Sequence, residues 1–156
     1  SNSTTLATSE EEDSVAPKLP LGMIKNYAIT EDQVREFHEA FGHPAHKVPN
    51  IPGQALANLR KKLIEEELAE VMEAIEKKDT LNLLKELCDL QYVLDGFFVV
   101  CGMDKAKEEA FMLVHQSNMS KLGEDGKPVL REDGKIMKGP NYKPVELVKL
   151  KALLND

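Results

Sequence analysis

Residues 63–101, LIEEELAEVMEAIEKKDTLNLLKELCDLQYVLDGFFVVC, decide the fold. Leu59, Leu63, Ile64, Leu68, Val71, Met72 and Ile75 recur at three- and four-residue spacing and predict a helix over about 54–78. Asp79 or Thr80 can cap a second helix, over about 81–100, that stops near Gly102. On the first helix Glu66, Glu67 and Glu70 share an arc of about 100°, with Glu73 on the same side and most apolar residues opposite. Alone, that is a wetted acidic face. On the second, Leu83, Leu90, Val93, Leu94, Phe97 and Val100 form an apolar stripe. Glu86 points from its middle, and Asp89 stands about 60° away. A carboxylate buried alone costs several kcal/mol, so Glu86 should be protonated, paired or metal-bound. Pairing would draw on Arg60, Lys61 or Lys62 of the preceding helix. Alternatively, two antiparallel helices could gather Glu66, Glu67, Glu70, Glu86 and Asp89, which would repel unless cations sat among them. An all-oxygen site suits Mg²⁺ or Mn²⁺, and Mg²⁺ completes its shell with water and phosphate oxygens.

The flanks read as further helices. Thr30, with Gln33 three residues on, can cap a helix over about 30–42, with Val34, Phe37, His38 and Phe41 at helical spacing and Gly42 as its stop. Three prolines make 43–52 a loop. Another helix is expected over about 104–122, and a short one over about 144–154 with Pro144 at its start. Between them Glu124-Asp125-Gly126-Lys127 nearly repeats as Glu132-Asp133-Gly134-Lys135. The Asp-Gly turns beside Val129-Leu130 and Ile136-Met137 suggest a small hairpin. Residues 1–20, with the acidic run Glu10 to Asp13 and Pro17 and Pro20, read as a disordered tail. The expectation is one all-α domain over 21–156, a four- to five-helix bundle with a loop or short hairpin near its C-terminus.

Composition narrows the function classes. The 156 residues carry 20 basic and 27 acidic side chains, a net charge of -7, which argues against a nonspecific nucleic-acid binder. No run approaches the roughly 18 apolar residues of a membrane span. Cys88 and Cys101 lie 13 residues apart on one helix, about 20 Å, too far to bridge. With no basic and apolar leader at the start, the expected address is the cytoplasm.

Other signals are weaker. His115, Asn118 and Lys121 recur at three-residue spacing near Phe111, Val114 and Leu122. Asn118 could be a core amide and Lys121 a helix-end cation, or the two could serve a phosphate ligand. His43 and His46 could hold a transition metal. Gly123 to Pro128 lacks the spacing of a P-loop. Met72, Met112 and Met119 read as core filler.

Glu67-Leu-Ala-Glu70, followed after 15 residues by Glu86-Leu-Cys-Asp89, resembles the ExxE…ExxD signature of the all-α nucleoside triphosphate pyrophosphohydrolases. That superfamily includes MazG proteins, dimeric dUTPases and phosphoribosyl-ATP pyrophosphohydrolase. Glu36 to Gly42, Val114 to Lys121, and Asp133-Gly134-Lys135 with Lys138-Gly139-Pro140-Asn141-Tyr142 and Pro144 are similar to the MazG-like subgroup. Together these segments cover about residues 30–150. The resemblance implies a Mg²⁺-dependent hydrolase, with Mn²⁺ as a possible substitute. It would cleave a nucleoside triphosphate between the α and β phosphates to monophosphate and pyrophosphate, as nucleotide-pool housecleaning. By motif, Glu67, Glu70, Glu86 and Asp89 become metal ligands, and Glu66 an additional acid that binds metal or orients water. Asn118 and Lys121 become substrate contacts, joined by Lys135, Lys138 and Tyr142 of the tail. Asp95 and Gly96 receive no role. The resemblance also implies a homodimer or tetramer. So does the end of the second helix, apolar nearly all round from Tyr92 to Cys101. The rival reading is a noncatalytic helical module that binds nucleotide or protein. A di-iron carboxylate bundle would want Glu-x-x-His ligands, absent from the acidic helices.

Overall fold

Asp79 and Lys78 make the turn on which the architecture depends. The Asp79 carboxylate accepts the Asn82 backbone N–H at 3.0 Å and caps the helix that follows. Lys78 takes a φ of 53° to reverse the chain. In the computed structural model, which describes residues 29–155, α1 spans Thr30–Ala40, α2 Gln54–Glu76 and α3 Thr80–Val100. A 3₁₀ turn over Asp104–Ala106 leads into α4, Lys107–Met119. Strands β1 (Val129–Leu130) and β2 (Ile136–Met137) form an antiparallel hairpin pairing Val129 with Met137 and Leu130 with Ile136, and α5 spans Leu147–Asn155. The chain is an all-α bundle with one small hairpin. The tail expected at 1–20 lies outside the described residues.

Three boundaries differ from expectation. Thr30 does not cap α1: it lies inside the first turn, Ile29 holds the cap position, and no side chain bonds there. Gly42, at a φ of 68°, does end that segment. The helix expected over 104–122 divides, because Asp104 turns inward to receive Arg35 at 2.6 and 2.8 Å and the α-helix proper begins only at Lys107. The last helix starts at Leu147 rather than beside Pro144.

α2 packs along α3, and α1 crosses the C-terminal half of α3. Val34, Val71, Ala74, Val99 and Val100 are buried among them. More polar than apolar residues are buried here: Glu31, Arg35, His38, Arg60, Glu86, Asp95 and Asp104. Gly96 explains one part of this junction. A Cβ there would lie 3.0 Å from His38 Nε2 and 3.1 Å from the Arg60 guanidinium, so a larger residue would require these side chains to give by a few tenths of an ångström. Burial, with Arg60, His43 and Arg35 close by, holds the His38 ring below its ordinary value, which favours the neutral imidazole. Asp95, fully buried, explains another part. It accepts Lys107 Nζ at 2.6 Å and Gln91 Nε2 at 3.0 Å, while Lys107 also reaches Glu31 at 3.2 Å. That knot fixes where α4 leaves the bundle.

The expected core stripe of α2 is largely outside. Leu59, Leu68, Met72 and Ile75 are about half exposed, as are Met112 and Met119 of α4, so the methionines are not core filler within one chain. The cause is rotational: α2 turns Glu67, Val71 and Ala74 toward α3, which leaves Leu68, Met72 and Ile75 on the other side. Neither α4 nor α5 buries a residue, and α4 packs on the 3₁₀ turn and α5. The end of α3 is only partly free, because Val99 and Val100 are covered within the chain while Tyr92 and Leu94 stay exposed. No helix among the described residues is long and apolar enough to cross a membrane. Cys88 and Cys101 are unpaired thiols.

Candidate metal centre

Three-residue spacing on a helix puts two side chains on one face, and the α2–α3 hairpin lays two such pairs against each other. One carboxylate oxygen from each of Glu67, Glu70, Glu86 and Asp89 lies within 4.8 Å of the other three. Glu86 is 5% exposed, the most buried of the four. Its Oε2, and Oε2 of Glu67, are buried without any hydrogen-bond partner. An unmet buried carboxylate oxygen is costly, and a cation bound between the helices would relieve both.

Two observations describe how the quartet holds its charge. A hydrogen bond with Glu70, reinforced by burial, raises the Glu86 carboxyl above its ordinary 4.5. Lys85 Nζ lies 2.8 Å from Asp89 and 3.2 Å from Glu86, and both acids hold its ammonium well above the usual lysine value. The basic partner is therefore Lys85 of α3 itself, not one of the α2 cations that the sequence offered. Arg60, Lys61 and Lys62 form no pair with the quartet; Arg60 is buried beside His38, and Lys61 reaches Glu65. The signal was available, since Lys85 stands four residues before Asp89. The donor set is oxygen alone and acidic, which fits a hard divalent cation such as Mg²⁺ or Mn²⁺.

The other candidates fall elsewhere. Glu66 is exposed and outside the four. Glu73 pairs with Lys77 at the surface. Asn118 is exposed on α4, with Lys121 half-buried just beyond it. Lys138 Nζ lies 4.8 Å from the centre of the Tyr142 ring, a cation–π contact, and Gly139 N–H donates to the Lys121 carbonyl at 3.0 Å. Lys135 is exposed on the hairpin. The structure thus makes two groups: the quartet between α2 and α3, and Lys121, Lys138 and Tyr142 around the end of α4. Among the described residues, no ion pair or hydrogen bond joins them. His43 and His46 do not pair as ligands: His46 Nδ1 is spent on the Val100 carbonyl at 2.6 Å, and the His43 ring stacks on Phe37.

A family model described as phosphoribosyl-ATP pyrophosphohydrolase matches residues 34–118, more than half of the chain. Twenty-four chains of solved structures match as well. One, from Exiguobacterium sp. 255-15, was solved at 1.78 Å and described provisionally as an NTP pyrophosphohydrolase. It is 28% identical, covers 81% of this chain and 94% of its own, and superposes with a TM-score of 0.40. No curated protein matches.

Proposed function

From membership of the phosphoribosyl-ATP pyrophosphohydrolase family, to which this chain belongs, and from the carboxylate quartet, we propose a divalent-metal-dependent hydrolase of nucleoside triphosphates. Water attacks the α-phosphorus, the bond to the bridging α–β oxygen breaks, and the products are a nucleoside monophosphate and pyrophosphate. The observation that carries this reading is the meeting of four carboxylate oxygens within 4.8 Å, two of the acids with a buried unmet oxygen. Glu67, Glu70, Glu86 and Asp89 would hold Mg²⁺, with Mn²⁺ as substitute. When bound, the ion neutralises phosphate charge and lowers the pKa of water.

The side chains divide the remaining work. To hold the ion, Lys85 would have to leave Glu86 and Asp89 for solvent, where its side chain already lies largely exposed. Glu66, one residue from the quartet and solvent-facing, takes the proton of the attacking water on its carboxylate. Asn118 donates its amide N–H to the substrate. Lys121, with Lys135, Lys138 and Tyr142, binds the phosphate chain and balances the charge that develops on pyrophosphate. Positioning and electrostatics account for most of the catalysis in phosphoryl transfer.

A second copy of the chain is part of this proposal. A homodimer or tetramer would bury Tyr92 and Leu94 of α3, with other exposed apolar residues of α2 and α4. A soluble cytoplasmic enzyme of nucleotide-pool housecleaning fits the reading.

One observation favours a different class. Lys85 already neutralises part of the quartet, as expected of a noncatalytic module that binds nucleotide on the same fold. A screen of the common NTPs and dNTPs with Mg²⁺, measuring pyrophosphate and phosphate separately, decides between them. The hydrolase releases pyrophosphate from at least one triphosphate; nucleotide binding without release makes the chain a module.

A further inference from the structure

Ser117-Asn118-Met119-Ser120-Lys121 interleaves two pairs at three-residue spacing. Asn118 and Lys121 are the pair assigned to substrate, and the structure gives the two serines a different task. Ser117 Oγ donates to the Lys143 carbonyl at 2.7 Å, and the Lys143 N–H donates to Ser120 Oγ at 2.8 Å. The Ser120 hydroxyl is in turn aimed by donating to the Ser117 carbonyl at 2.6 Å. Both backbone polar groups of Lys143 are therefore fastened to the C-terminal end of α4.

A second stitch lies at the other end of the same strap. Gly139 N–H donates to the Lys121 carbonyl at 3.0 Å, and a Cβ on Gly139 would lie 2.6 Å from the Leu122 carbonyl oxygen. Only glycine allows that approach. Between the stitches runs 139–143, carrying Tyr142, with Lys138 set over its ring. Lys121, Lys138 and Lys143 form no ion pair among the described residues of a chain whose net charge is -7. Uncompensated lysines held together by a tied strap present a site for a polyanion.

We propose that Ser117, Ser120 and Gly139 are positioning residues: they latch the strap to α4 so that Lys121, Lys138 and Tyr142 act as one preassembled grip on the substrate's phosphate chain. None of the three touches substrate. The inference rests on the triphosphate reading above, and its test has a readout that does not need turnover.

The experiment compares wild type, Ser117→Ala/Ser120→Ala, Gly139→Ala and Ser120→Thr. Hydrogen exchange is followed at the Gly139 and Lys143 amides, and steady-state kinetics on the best substrate among the common NTPs and dNTPs. In the double variant both amides lose protection while α2 and α3 keep theirs. KM rises about ten-fold, the loss expected from two hydrogen bonds that organise a binding group, and kcat stays within about two-fold of wild type. Gly139→Ala reproduces the defect without touching a hydroxyl, and Ser120→Thr, which keeps the hydroxyl, behaves as wild type. Protection that survives the double substitution overturns the latch, and lost protection with unchanged KM overturns its role in binding. A wild type that neither binds nor hydrolyses any triphosphate overturns the function and the grip together. Amide exchange tells that case apart, because it reads the latch directly.

Discussion

Replacing Lys107 by Met should expose how the bundle sets the direction of α4. Lys107 is the first residue of that helix, and its ammonium lies 2.6 Å from Asp95 and 3.2 Å from Glu31. The Asp95 side chain is 0% exposed and the Lys107 side chain 15%. Removing the cation leaves Asp95 buried with Gln91 as its remaining side-chain partner, and Asp95 Oδ2 has no partner even in the intact chain. Breaking a buried pair by deleting one member costs about 3–5 kcal/mol, and the lower end applies because Lys107 keeps some contact with water. A loss of about 3 kcal/mol is a large part of the roughly 5–15 kcal/mol that holds a domain together, and lowers the melting temperature by about 6–12 °C. Asp95→Asn, which keeps an acceptor for Lys107, should cost less, about 1–2 kcal/mol. The double variant Lys107→Met/Asp95→Leu, with no stranded charge, should lie closer to wild type than Lys107→Met alone. Urea titration followed by circular dichroism measures all three. Losses below about 1 kcal/mol for Lys107→Met, or a double variant no more stable than Lys107→Met alone, would refute the view that this pair anchors α4.

Three further outcomes are expected. The carboxyl of Glu86, raised by Glu70 and burial, is protonated more easily folded than unfolded. The metal-free protein should therefore be destabilised above that raised value and gain stability as pH falls through it, while Mg²⁺ affinity falls over the same window; melting curves and metal titration at stepped pH show whether the two move oppositely. Lys121→Ala should weaken triphosphate binding more than monophosphate binding in calorimetry, because an ammonium directed at the β or γ phosphate contributes only where that phosphate exists; equal losses would make Lys121 a helix-end charge. Light scattering at low micromolar concentration should give a multiple of 17.4 kDa, and Leu94→Glu, on an exposed part of α3, should shift it toward one chain; a wild-type mass near 17.4 kDa ends the proposal of a second copy.

The helices were legible because period and punctuation agreed. Asp79 caps α3, Gly42 and Gly102 take positive φ at helix ends, and the hairpin falls at the doubled Asp-Gly. The quartet was legible for a similar reason: a carboxylate in the middle of an apolar stripe needs a partner, and spacing alone says which neighbours can face it. Rotation was not legible. A wheel cannot say that α2 presents its acids to α3, so Leu59, Leu68, Met72 and Ile75 looked like core and are about half exposed. Nor could local pattern show long-range polar packing. Arg35 meets Asp104 from 69 residues away, and Gly96 is small because His38 and Arg60 arrive from two other helices. Asp95 and the two latch serines escaped for the same cause, since their partners lie 12 to 26 residues distant.

The central claim is that Glu67, Glu70, Glu86 and Asp89 hold the metal on which hydrolysis depends. Its most direct measurement is pyrophosphate release by wild type, Glu70→Gln and Asp89→Asn, with Mg²⁺ and with chelator, alongside melting curves of the metal-free proteins. Each substitution keeps volume and removes one negative charge from a crowded cluster, so the fold should be as stable as wild type or more so. The account predicts release by wild type only with Mg²⁺, and loss of turnover by at least about a hundred-fold in both variants. Normal Mg²⁺-dependent rates in either folded variant would contradict it.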